Sequence, residues 1–235
     1  YYQKVGTSIL SSGGSIGRFM GDGIVAYWNA PQDDAEHPMH AAGAVLRSRS
    51  NSEALNRRWE SYGWPIMYTR FGLHIGDAIV GNIGLPDRMD YTAFGDCLNI
   101  ASRLEGLNKF YGTQILLSAA MATALDGAVV TRWVDRVAPK GTTQPMEIME
   151  LVGMREGDDF ICAGPAQARQ AEHWDKDVMA PYLQRDWKGT LKGLAKHKEM
   201  FPNDPLLRLY EERCREFVKT PPDKNWDGVV RYDQK

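Results

Sequence analysis

Residues 18–31, RFMGDGIVAYWNAP, set Gly21-Asp22 between two runs that favour extended chain, Phe19-Met20 and Ile24 to Trp28. Glycine readily takes the positive φ that a tight two-residue turn requires, so the pattern predicts an antiparallel hairpin with Asp22 at its tip. A carboxylate in that place has two readings. It stabilises its own turn by bonding nearby backbone amides, or it reaches outward as a hard oxygen ligand for a cation.

Working outward, the chain to about residue 153 alternates strand and helix signals. Met39, Ala42, Leu46, Leu55 and Trp59 recur at helical spacing. Residues 68–84, YTRFGLHIGDAIVGNIG, read as a second hairpin with Gly76-Asp77 at the turn. Asp96 is placed to N-cap a helix that begins at Cys97, runs through LNIASRLEGLNKFYG and ends near Gly112. TQILLS (113–118) and MEIMELVG (146–153) have strand composition. This mixture implies an α+β fold, a ferredoxin-like sandwich in which helices cover a mainly antiparallel sheet. Residues 154–165 carry the Gly, Asp and Pro content of a linker, and 166–235 form a helical tail. In the tail Trp174, Val178 and Tyr182 share one stripe, as do Trp187, Leu191 and Leu194, while Asp204-Pro205 opens a further helix bearing Leu206, Leu209, Tyr210 and Phe217.

Bulk properties narrow the function. The 235 residues are 43% hydrophobic and 25% charged with a formal net charge of −2, the values of a globular protein with a real core. A near-neutral charge argues against a general nucleic-acid binder, which would show a basic stripe. Cys97, Cys162 and Cys214 are odd in number and lack metal-ligand spacing, which points to a reducing compartment rather than a disulfide framework. No apolar run reaches the roughly 18 residues needed to span a bilayer.

On the helix from Cys97, Leu98, Ile100, Ala101, Leu104 and Leu107 occupy one half of the cylinder, and Asn99 and Arg103 lie one turn apart on the other. They are either a solvated polar pair or an amide and a guanidinium aimed together at an oxygen-rich ligand. His74, between Leu73 and Ile75, reads as a packed core histidine, and nothing positions Cys97 as a nucleophile.

Three segments, GRFMGDGIVAYWNAP (17–31), residues 72–118 and DRVAPKGTTQPMEIMELVG (135–153), resemble the catalytic domain of class III nucleotidyl cyclases, most closely the threonine-containing bacterial adenylate cyclase branch. The resemblance covers residues 1–153 and implies a homodimer that binds ATP with two divalent cations, Mg2+ or Mn2+, between its subunits. It implies formation of cyclic AMP and pyrophosphate by attack of the ribose 3′ oxygen on the α-phosphorus. Under it, Asp22 matches a metal-binding aspartate, Asn99 the residue that orients the ribose, and Arg103 the residue that stabilises transition-state charge. Arg18 stands where adenylate cyclases usually carry an adenine-contacting lysine, and Thr92 at the second purine contact. Arg18 is longer and forked, so it is no neutral exchange for lysine. Guanine selection in the family typically uses a glutamate there, which leaves adenine favoured and a guanylate cyclase open. Lys140 matches a triphosphate-contacting lysine, or is a solvated lysine in a turn.

The family's first metal aspartate belongs to a strand ahead of Tyr1, so the 235-residue chain by itself is expected to be a fragment and inactive. A degenerate cyclase-like module that only pairs or binds nucleotide is the alternative to an enzyme. Residues 182–229 resemble a tetratricopeptide-like appendage of bacterial cyclases that carry a membrane-bound sensor. From that resemblance, the chain is expected to be the cytoplasmic part of a membrane-anchored bacterial protein, its anchor and sensor lying upstream.

Overall fold

Gly21, at φ +60, and Asp22 form the two-residue turn joining β1 (Ser15–Met20) to β2 (Gly23–Tyr27), with Met20 opposite Gly23 and Phe19 opposite Ile24. The computed structural model describes residues 1–138 and 144–231, without the side chain of Arg88. Ahead of the ribbon, α1 (Tyr2–Leu10) lies on α2 (His37–Ser61), where Asn51 Nδ2 donates to Ser8 Oγ at 3.1 Å.

The second hairpin forms elsewhere than at Gly76-Asp77. β3 (Phe71–Leu73) runs parallel to β6 (Ile115–Ser118), and residues 74–78 have no regular structure. The partner of β4 (Ile79–Leu85) is β5 (Arg88–Phe94), in unbroken antiparallel register from Ile79–Phe94 to Leu85–Arg88 around a Pro86-Asp87 turn. Both dipeptides are turn formers. The choice is made by β3, which is committed to β6 and lies so close to α3 (Asp96–Tyr111) that a Cβ on Gly72 would sit 2.1 Å from the Ala101 carbonyl oxygen.

A second correction concerns Asp96. The N-cap position of α3 is Gly95, and no side chain caps the helix there; the Asp96 carboxylate accepts from Asn99 Nδ2 at 3.4 Å instead. The other end closes as expected, with Gly112 left-handed at φ +70.

The main sheet has five strands in the order β3-β6-β8-β7-β9, where β7 is Val129–Ala138, β8 Met146–Met154 and β9 Val229–Arg231. β6, β8 and β7 are antiparallel neighbours, while β3 and β9 join the edges in parallel. All four residues of β6 are buried, because the sheet is covered on both faces. Ile115 and Leu117 face a core built with α2 and α4 (Ala119–Ala124) through Ala42, Leu46, Met121 and Leu125. Leu116 faces the opposite way, into a core shared by α3 and the tail.

The tail consists of α5 (Pro165–His173), a π-helical turn (Trp174–Met179), α6 (Ala180–Leu183), α7 (Trp187–Met200) and α8 (Leu206–Lys219). Trp174, Val178, Tyr182, Leu194, Leu206 and Tyr210 are buried in one cluster with Leu104, Val134, Val137 and Ile148. Two buried ionic groups fasten the tail to β7. Arg132 pairs with Glu150 at 2.6 Å and with Asp204, which also accepts from His197 Nε2 at 2.9 Å and Gln170 at 2.7 Å. Asp135 holds Arg213 of α8 at 2.9 Å.

Candidate active site

The hairpin turn leaves the Asp22 carboxylate exposed, with no burial cost to oppose its charge. It stands within electrostatic reach of α3 in the same chain: burial raises the pKa of Glu105, Arg70 opposes that rise, and the Asp22 charge adds to it.

Arg18 is exposed on β1, opposite Val25 and next to a bulge at Gly17. Thr92 lies in β5 opposite Gly81 and is 5% exposed. The two strands come together at Gly17, where an added Cβ would sit 3.0 Å from Thr92 Oγ1 and 3.1 Å from the Tyr27 ring. Gly17 therefore keeps open the space beside Thr92, a role the sequence reading missed. The available signal was a glycine inside a strand, which marks close approach or a bulge. Thr92 Oγ1 is buried and makes no hydrogen bond among the described residues.

Asn99 and Arg103 project from the half of α3 turned away from its core, as helical spacing requires. Asn99 is exposed. Arg103 is half-buried, and its Nη1 is buried with no hydrogen-bond partner among the described residues. An unpaired buried donor or acceptor costs about 1–3 kcal/mol, so Arg103 Nη1 and Thr92 Oγ1 are groups with bonding capacity held in reserve. Lys140 lies outside the described residues. His74 Nδ1 is 2.8 Å from Ser118 Oγ, and burial lowers its pKa, consistent with a neutral packed imidazole. Burial raises the pKa of the Cys97 thiol, which disfavours the nucleophilic thiolate.

The ribbon β4–β5 exposes Ile79, Leu85 and Phe94 on one face and Met89 on the other, on strands that among the described residues pair with each other and no third strand. Among the described residues no three His, Cys, Asp or Glu side chains converge to hold a metal. Magnesium-type ions keep several waters and take one or two carboxylates together with substrate phosphates. Asp22 is a carboxylate of that kind.

No family model matches the chain. It is 38% identical to Adenylate cyclase 1 of Rhizobium meliloti (strain 1021) over 166 residues, which is 71% of this chain and 25% of that protein. Its backbone superposes on the guanylyl cyclase Cya2 with a TM-score of 0.61 at 27% identity, covering 69% of this chain and 82% of that one. The chain carries a class III nucleotidyl cyclase domain. The adenylyl cyclase CyaB from P. aeruginosa agrees, with a TM-score of 0.60, 26% identity, and 68% and 81% of the two chains covered. Cyclases of this family generally use divalent metal ions, and the open hairpin tip at Asp22 is compatible with that use. Asp22, Thr92 and Arg103 sit on three separate elements, the β1–β2 turn, β5 and α3.

Proposed function

We propose that this domain is an adenylate cyclase that converts ATP to 3′,5′-cyclic AMP and pyrophosphate at a site formed between two copies of the chain. The observation that carries the proposal is that Thr92 Oγ1 on β5 and Arg103 Nη1 on α3, the helix that also presents Asn99, are buried and without a hydrogen-bond partner among the described residues, while Asp22 stands exposed at the β1–β2 turn. The exposed apolar face of β4–β5 supports pairing of two copies, since an unpartnered patch of this kind marks an association surface.

In the reaction the ribose 3′ hydroxyl gives up its proton to solvent, its oxygen bonds to the α-phosphorus, the bond from that phosphorus to the bridging oxygen breaks, and pyrophosphate leaves. Arg103 donates to the phosphoryl oxygens as charge accumulates on them, and Asn99 of the same helix orients the ribose. Thr92 and Arg18 meet the edge of the purine, with a hydroxyl and a forked cation as the available donors and acceptor. Asp22 would hold Mg2+ or Mn2+, two ions completing the site with substrate phosphates; bound there, they neutralise phosphate charge and acidify the attacking hydroxyl.

GTP is the alternative substrate, supported by the likeness to a guanylyl cyclase; Arg18 is neither the lysine nor the glutamate and leaves adenine favoured. Among the described residues no helix is long and apolar enough to cross a membrane. Attachment through a segment outside them belongs to the proposal and rests on the resemblance of the tail.

The test is to incubate the intact protein with ATP or GTP and a divalent cation and identify the product chromatographically. Arg103→Ala is expected to lower kcat by about 10²- to 10³-fold with an unchanged melting temperature. Loss of neither substrate, or an unchanged rate in the variant, removes the assignment.

A further inference from the structure

We infer that Tyr111 is a positioning residue for the cyclase reaction, and that the helical tail sets the placement of Asn99 and Arg103 through it. The inference rests on the proposed function for the roles of those two residues. Its own basis is the way α3 is held.

Tyr111 is the last residue of α3, eight positions beyond Arg103 and so about 12 Å farther along the axis. Its ring is buried, and Oη donates to Asp135 Oδ2 at 2.8 Å. Asp135 is fully buried in β7 and also receives Arg213 Nη2 at 2.9 Å and Nη1 at 3.2 Å. Arg213 belongs to α8, where its guanidinium lies 4.9 Å from the centre of the Tyr210 ring and its Nη1 donates to Tyr182 Oη at 3.3 Å. One carboxylate thus ties the end of α3 to the sheet and to the tail.

A second contact acts at the same end. Gly112 caps α3 against Pro205 at the start of α8, so closely that a Cβ on Gly112 would lie 2.6 Å from Pro205 Cβ. Between these points Ile100, Leu104 and Leu107 pack into the core that includes Leu206, Leu207 and Tyr210. The amino-terminal end of α3 has no side-chain cap. The carboxyl end of the helix is therefore held from the tail side, in addition to the packing of its middle on β3 at Gly72, and Asn99 and Arg103 ride on what is held. Catalysis by positioned groups is sensitive to this, because a displacement of about 1 Å can change rates by about 10²-fold.

The experiment uses Tyr111→Phe in the intact protein, which removes one hydrogen bond and keeps the ring. The expected result is a fall in kcat of about tenfold at a KM for nucleotide within about twofold of the parent. The same substitution in an Arg103→Ala background should then have a smaller effect on kcat, the part transmitted through Asn99 alone. Amide exchange over residues 96–104 should accelerate while α2 is unaffected. Gly112→Ala, which pushes on Pro205 from the other contact, should reproduce the kcat loss. An unchanged kcat in folded Tyr111→Phe, or an undiminished effect in the Arg103→Ala background, overturns the inference. If the parent protein forms no cyclic product, the proposed function fails, and the exchange measurement decides on its own whether Tyr111 governs α3: faster exchange upholds that control and unchanged exchange refutes it.

Discussion

Trp174 Nε1 donates to the Trp133 carbonyl oxygen at 2.8 Å, and the residue after it, Asp175, accepts from the Trp133 amide at 2.9 Å. Two consecutive residues of the tail thereby occupy both backbone groups of one residue on the side of β7 away from β8. The π-helical turn that begins at Trp174 belongs to the same segment. Tyr210 extends the cover by donating to the Val134 carbonyl at 2.5 Å.

Trp174→Phe should test that clamp. It deletes a buried hydrogen bond and part of a fully buried ring, for an expected loss of about 2–4 kcal/mol in unfolding free energy by urea titration. A loss under about half a kcal/mol would mean that solvent already satisfies the Trp133 carbonyl.

Asp175 gives a pH dependence with a definite sign. Burial raises its pKa to about 6, while the Trp133 amide and the Arg132 charge pull it down. The folded state therefore holds this proton over a range where the unfolded state, near 3.8, has released it. Its contribution to stability falls as pH rises from about 4 to about 6 and stays low above that. Asp175→Asn keeps an acceptor oxygen without the charge. Its stability relative to the parent should be near equal at pH 4 and higher by about 1–3 kcal/mol at pH 8, and a difference independent of pH would refute the assignment.

Asp204 has the opposite sign. Burial alone would raise its pKa, but hydrogen bonds from His197, Arg132 and Gln170 outweigh burial and hold the carboxyl well below the usual range. Its contribution is present above about pH 4 and is lost as pH falls toward the lowered pKa. Asp204→Ala leaves the buried Arg132 facing Glu150 alone, and should cost about 3–5 kcal/mol in a denaturant titration at pH 7.

Thr92→Val separates function from folding. Valine keeps the β-branched shape suited to β5 and removes a buried hydroxyl that has no partner among the described residues. Melting temperature should hold or rise, while kcat/KM for the preferred nucleotide falls about tenfold or more. A variant with parent-like kinetics would take Thr92 out of purine recognition.

The parts of the fold legible in the sequence were those governed by neighbours along the chain. The β1–β2 turn needed only Gly21 and its flanks, and α3 needed its apolar spacing and Gly112. Gly76-Asp77 misled because turn chemistry is local while strand pairing is not. The pairing of β4 with β5 depends on β3 being engaged by β6, some forty residues on. The clamp on Trp133 comes from a partner 41 residues away, and β9 has three residues, too short for any periodicity to register. Among the candidate residues, Asp22, Asn99 and Arg103 could be singled out by type and spacing, and Thr92 only through the resemblance to a known family. Gly17 carried a signal as a glycine inside a strand, but not what it approaches, since its contribution is the room it leaves between two strands that share no ladder among the described residues.

The side of β7 away from β8, covered by β9 and the tail, decides where this protein can be trimmed. A piece ending at residue 153, at the close of β8, would expose the outer rim of its sheet as a sticky template for other strands. Anyone preparing a minimal catalytic unit should carry the polypeptide through Arg231, where β9 pairs with Ala138 and seals that rim.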